Sequence, residues 1–157
     1  MKDTELSVEI MLVEDNPGDI RLITELFKEI DIENQVNAAC DGEQALMMLH
    51  KEGKFTTTRL PDLILLDLNL PKIDGKEVLR EIKTDNRLMY IPVIILTTSR
   101  EEKDIIETYS YNANSFITKP VDLDSFIKII KSIQEFWLNI VKLPMVHQME
   151  NSTMRRK

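Results

Sequence analysis

Three short apolar runs constrain the fold of this chain most. They are "VEIMLV" (Val8–Val13), "LILL" (Leu63–Leu66) and "VIIL" (Val93–Leu96). Each is apolar at consecutive positions, Glu9 of the first excepted, where a strand with one wet face would alternate. A strand apolar on both faces needs cover on both, which is the mark of a central strand in a parallel sheet flanked by helices. The stretches between them supply that cover. Ile20, Ile23, Phe27 and Ile30 recur at spacings of three and four, and so do Ala45, Leu46 and Leu49, then Val78, Leu79 and Ile82. Two weaker runs, "NQVNAAC" and "SFIT", complete five strands, each followed by a helix. Of the helical stretches, "EEKDIIETYSYNA" has the fewest apolar positions. "DLDSFIKIIKSIQEFWLNIVKL" predicts one long closing helix, with Asp122 or Asp124 as its N-cap. The predicted class is α/β, a doubly wound five-stranded parallel sheet.

The 157 residues suit one domain over 1–143, followed by a tail over 144–157 that lacks periodicity and is expected to fray. A net charge of -7 disfavours general binding to nucleic acid or an anionic membrane. No apolar run is long enough to span a bilayer, and "MKDTELSVEI" holds no apolar signal core, so a cytoplasmic location is expected. The 13 residues after Pro144 leave no room for a helix-turn-helix, so output is expected through a protein partner rather than DNA. The single cysteine, Cys40, excludes an internal disulfide framework and is expected to be a small buried residue near a strand end.

Sites in open parallel sheets form at the carboxyl ends of the strands. There the first strand delivers Glu14 and Asp15, the third Asp67, the fourth Thr97 and the fifth Lys119. Three carboxylates that close repel one another by about 4 kcal/mol per pair at ~4 Å and an effective dielectric near ~20. A bound cation or a captured proton relieves that. Oxygen donors without His or Cys select a hard ion, and Mg²⁺ fits best. Asp67 is then either a third metal ligand or a nucleophile that forms an aspartyl phosphate. Thr97 is placed to hydrogen-bond a phosphate oxygen, and Lys119, followed by Pro120, to neutralise it.

These residues resemble those of a two-component response-regulator receiver domain. "VEDN" (Val13–Asn16), "LLDLNLPKIDG" (Leu65–Gly75), "LTTS" (Leu96–Ser99) and "ITKP" (Ile117–Pro120) match in order and spacing, from about Val8 to about Leu138. The resemblance implies the flavodoxin-like strand order 2-1-3-4-5. It makes Asp67 the phosphoacceptor, charged by a sensor histidine kinase. It assigns Mg²⁺ to Glu14, Asp15, Asp67 and the backbone carbonyl of Asn69, and the phosphoryl oxygens to Thr97 and Lys119. It also implies a cis Lys119–Pro120 peptide, and a switch in which Thr97 turns toward the phosphoryl group while Phe116 moves inward. The protein would then be a signalling phosphoacceptor that assists its own phosphorylation and dephosphorylation, not an enzyme with a separate substrate.

Two positions depart from the family pattern. Phe116 lacks the hydroxyl of the tyrosine often found there. Thr98 is β-branched where many receivers carry a small residue, and is expected to narrow access to Asp67 and slow phosphoryl exchange. The closing segments "NSFITKPVDLDSF" and "IQEFWLNIVKLP" resemble stand-alone receivers paired with phytochrome-like sensor histidine kinases, which are often homodimers. Phe136, Trp137, Ile140 and Val141 widen the last helix's apolar stripe beyond what a small sheet must cover, which marks a candidate dimer face. Three rivals stand beside this reading. An Mg²⁺-dependent phosphohydrolase needs a second acid two residues after the nucleophile, where this chain has Asn69. An FMN carrier needs a Ser/Thr/Gly-rich loop in place of "EDNPGD". A binding-only pseudo-receiver would not need the complete acidic set.

Overall fold

The computed structural model describes residues 7–145. The tail expected over 144–157 therefore lies almost wholly outside the described residues. Five strands, β1 (Val8–Val13), β2 (Asn34–Ala39), β3 (Leu63–Leu66), β4 (Val93–Thr97) and β5 (Ser115–Thr118), form one all-parallel sheet in the order β2-β1-β3-β4-β5. Helices α1 (Pro17–Lys28), α2 (Gly42–Leu49), α3 (Gly75–Thr84), α4 (Glu102–Ser110) and α5 (Leu123–Gln134) make the crossovers and the closing layer. Among the described residues no helix is long and apolar enough to cross a membrane.

Every residue of β1, β3 and β4 is buried, because these strands fill the middle of the sheet. Successive side chains point to opposite faces, so each strand feeds two cores. Met11, Val13, Ile64, Leu66 and Ile95 pack with Leu49, Val78 and Ile82 of α2 and α3. Ile10, Leu12, Leu63, Leu65 and Ile94 pack with Ile23 and Phe27 of α1 and Ile130 of α5. Asn16, Asp41, Asp74 and Asp122 cap α1, α2, α3 and α5 by accepting backbone N–H bonds in the first turn. Asp122, not Asp124, is thus the cap of α5.

Several expectations need correction. Helix α1 stops at Lys28, so Ile30 lies beyond it, though it still packs on the α1–α5 core. Cys40 is exposed. It follows the last paired residue of edge strand β2, outside the covered part of the sheet. The closing helix is not continuous. The α-helix ends at Gln134 and the chain goes on as a π-helical segment over Glu135–Ile140. The Lys119–Pro120 peptide is trans, where the resemblance implied cis, and there is no cis bond among the described residues. Trans is the lower-energy X–Pro form by about 0.5–1 kcal/mol, and with it Lys119 N–H still reaches the Thr97 carbonyl at 2.7 Å.

Helix α4 buries only Thr108. Polar contacts hold it instead. Lys76 of α3 reaches Asp104 Oδ1 at 2.5 Å and Glu107 Oε2 at 2.8 Å. The Tyr109 hydroxyl accepts the Phe116 N–H of edge strand β5 at 3.1 Å.

Candidate functional site

The site lies where β1, β3, β4 and β5 end. Glu14 and Asp15 follow β1, Asp67 follows β3, Thr97 ends β4 and Lys119 follows β5. Glu14 (2 % exposed), Asp67 (6 %) and Lys119 (7 %) are buried, as is Thr97, while Asp15 is open to solvent. The sequence therefore delivers its charges to the strand edge as expected, but sinks most of them below the surface.

The Lys119 ammonium organises these charges. It donates to Glu14 Oε1 in the tightest contact of the site, to Asp19 Oδ2 at 3.0 Å and to Asp67 Oδ2 at 3.3 Å. The other oxygens of the two buried acids are also in use. Glu14 Oε2 accepts the N–H groups of Asp15 at 3.0 Å and Asn16 at 3.2 Å. Asp67 Oδ1 accepts the N–H of Asn69 at 3.2 Å. Burial pushes the Glu14 carboxyl up to about 7, against the opposing pull of Lys119. Burial alone would lower Lys119, but its bond to Glu14 and the neighbouring charges outweigh that and hold it above the ordinary lysine value. The ammonium is therefore a fixed positive charge at neutral pH.

Glu14, Asp15 and Asp67 each offer a carboxylate oxygen, and these oxygens lie within 4.8 Å of one another. An all-oxygen, acidic donor set of that spacing suits a hard divalent cation. The residues present fit the expected ion.

The surrounding loops are shaped for close approach. A Cβ on Gly75 would stand 2.3 Å from the Asp67 carbonyl oxygen and 2.6 Å from Leu68 Cα, so only glycine lets α3 start against the segment that carries Asp67. Thr97 Oγ1 accepts the Ser99 N–H at 3.4 Å. Ser99 in turn donates to Asp104 at 2.5 Å, and its carbonyl accepts from Thr118. Thr98 is exposed beside this loop. Phe116 is partly buried against the α2–α3 core.

The structure brings Glu14, Asp15, Asp67 and Lys119 together and sets Thr97 on the neighbouring strand end. It keeps Phe136, Trp137, Ile140 and Val141 apart from them, at the far end of the closing helix. Sequence reasoning missed Asp19. Its only signal was an acid in the first turn of the helix that follows Glu14 and Asp15, and nothing local announced a lysine 100 residues later.

The family described as response regulator receiver domain matches residues 10–131. Response regulator Rcp1 of Synechocystis sp. is 44 % identical over 135 residues, covering 86 % of this chain and 92 % of Rcp1. Chemotaxis protein CheY of Pseudomonas aeruginosa is 30 % identical over 128 residues, or 82 % of this chain and 97 % of CheY. Among solved structures, the phosphorylated cyanobacterial phytochrome response regulator RcpA superposes with a TM-score of 0.86 at 47 % identity, covering 88 % of this chain and 99 % of RcpA. The Mn²⁺-bound form of Rcp1 gives 0.85 at 43 % identity, covering 87 % and 99 %.

Proposed function

The chain belongs to the response regulator receiver domain family, which accepts phosphoryl groups in two-component signalling, and we propose that its acceptor is Asp67, charged by the phosphohistidine of a sensor histidine kinase. The observation that carries this is the Lys119 ammonium bridging Asp67 and Glu14 at the sheet's carboxyl edge. An Asp67 carboxylate oxygen attacks the phosphorus. The phosphorus–nitrogen bond breaks, its electron pair leaves with the imidazole, and an acyl phosphate remains. Lys119 stays protonated throughout and counters the charge that gathers on the phosphoryl oxygens. Thr97 hydrogen-bonds one of those oxygens, and its move toward the new group, coupled to Phe116, is the switch. Glu14, Asp15, Asp67 and the Asn69 carbonyl hold Mg²⁺, which supplies the remaining charge neutralisation when bound. Water later hydrolyses the acyl phosphate, so the protein assists both of its own reactions. Mn²⁺ in the structure of Rcp1 supports the choice of a divalent cation.

The partner is a phytochrome-like histidine kinase. The description of RcpA as a cyanobacterial phytochrome response regulator supports that reading, and so does its near-complete coverage by this chain. Signalling takes place in the cytoplasm and output is by protein contact. The protein is a homodimer through Phe136, Trp137, Ile140 and Val141. Phe136 (51 % exposed) and Ile140 (63 %) support this, as large apolar groups beside a half-buried Trp137. Sedimentation tests the dimer: Trp137→Ala should shift the protein toward monomer, and identical monomers for parent and variant would remove the interface.

The function is tested by incubation with a small acyl phosphate. One phosphoryl group should add by mass in the presence of Mg²⁺, none in its absence and none in Asp67→Asn. Failure to label with this donor and with a candidate kinase would refute the reading in favour of a binding-only receiver.

A further inference from the structure

We infer that Asp19 is a positioning residue for the divalent ion site: it receives the Lys119 ammonium when the ion takes over Glu14 and Asp67. The inference rests on the proposed metal site. The ammonium now occupies the oxygens an incoming ion needs. Glu14 Oε2 already accepts two backbone N–H groups, so the oxygen left for an ion is Oε1, which Lys119 holds. Asp67 is more open, with Oδ1 accepting one N–H, that of Asn69, and only Oδ2 on Lys119. Ion entry therefore means displacing a buried lysine from Glu14, and from Asp67 wherever the ion takes Oδ2. A displaced ammonium with no acceptor would be costly in so buried a place.

Among the described residues, Asp19 is the one carboxylate in contact with Lys119 that lies outside the ligand cluster. Its Oδ2 is already 3.0 Å from Nζ, nearer than Asp67. Its backbone is fixed in the first turn of α1, where Asn16 Oδ1 accepts the Asp19 N–H at 3.0 Å behind Pro17 at the helix start. Asp19 is thus preorganised by the loop that carries Glu14 and Asp15. Its partial exposure, 30 % for the side chain, keeps the cost of its own charge low. An acid at this helix position also favours the helix dipole, so stability and ion binding must be read separately.

Titration calorimetry with Mg²⁺, and with Mn²⁺ as a second probe, reads the site directly in the unphosphorylated protein. Asp19→Ala should weaken binding by about three- to tenfold, the scale of one lost charge interaction at partly screened distance. Asp19→Glu should recover most of that loss. In a Lys119→Met background, Asp19→Ala should cost much less, because there is no ammonium left to receive. Unchanged affinity in Asp19→Ala, or an equal loss with and without Lys119, overturns the role of Asp19. If the parent protein binds neither ion, the metal site itself is wrong and this inference falls with it. A melting temperature lowered in Asp19→Ala with ion affinity intact assigns Asp19 to the helix dipole alone, which also overturns it.

Discussion

Replacing Lys119 by methionine keeps the length of the side chain and removes the cation that contacts the two buried carboxylates Glu14 and Asp67. In the parent, Nζ stands 3.3 Å from Asp67 and 3.0 Å from Asp19, and closer still to Glu14. At an effective dielectric near ~20, one such pair is worth about 5 kcal/mol before desolvation. Most of that is offset by burying the ions, and removing one member of a buried pair costs about 3–5 kcal/mol net. Against a total stability of about 5–15 kcal/mol for an ordinary domain, that is a large fraction. The variant has one escape. Glu14, pushed up to about 7 even with the lysine present, takes up a proton more readily without it. A carboxyl whose folded value lies above its unfolded one binds its proton more tightly in the fold, so its contribution is full below about 4.5 and fades as pH rises through the folded value. Urea unfolding of Lys119→Met should therefore show a small loss near pH 5 and a loss of several kcal/mol near pH 8. Saturating Mg²⁺ should restore part of it, as a cation returns to the same carboxylates. Equal midpoints for parent and variant at pH 8 would refute the argument that Lys119 neutralises this site.

Gly75→Ala should destabilise the fold by about 1–3 kcal/mol and slow phosphorylation, since a Cβ there meets the Asp67 carbonyl oxygen at 2.3 Å; urea midpoints and labelling rates check both. Burial lowers the Lys83 ammonium to about 8, where it donates to the carbonyls of Ile91 and Met89 and to the Asn114 side chain. The unfolded chain holds that proton more tightly, so this group adds stability as pH rises from about 8 to about 10.5, by no more than about 3 kcal/mol. Lys83→Met should lose that rise, read as the difference between the two stability-versus-pH curves. Thr98→Ala should speed both phosphorylation and dephosphorylation by severalfold, and unchanged rates would show that this exposed side chain does not gate Asp67.

What the sequence made legible follows from burial. Two-sided apolar runs can only be central strands, so β1, β3 and β4 and the edge where they deliver Glu14, Asp67 and Thr97 were readable. Helix α4 was the hardest helix to see, because Lys76, Asp104 and Glu107 hold it where apolar packing holds the others. Cys40 read as buried because a free cysteine near a strand end is usually a small buried residue, but β2 is an edge strand and its end is open. The closing stripe from Phe126 to Ile140 looked like one helix because its apolar residues keep three- and four-residue spacing across the boundary at Gln134, where the backbone bonding changes. Asp19 was invisible because its partner comes from the far end of the sheet. Local pattern reports which residues reach the edge, and only tertiary structure reports which oxygen each one holds.

The central claim is that Asp67 accepts the phosphoryl group. Proteolysis of the phosphorylated protein with trypsin, followed by mass mapping of the modified carboxylate, tests it most directly. The segment Leu60–Lys72 carries two acids, Asp62 at the start of β3 and Asp67 at its end, and both are buried. The modification should map to Asp67 alone. A phosphoryl group on Asp62, or on Glu14 or Asp15, would contradict the account.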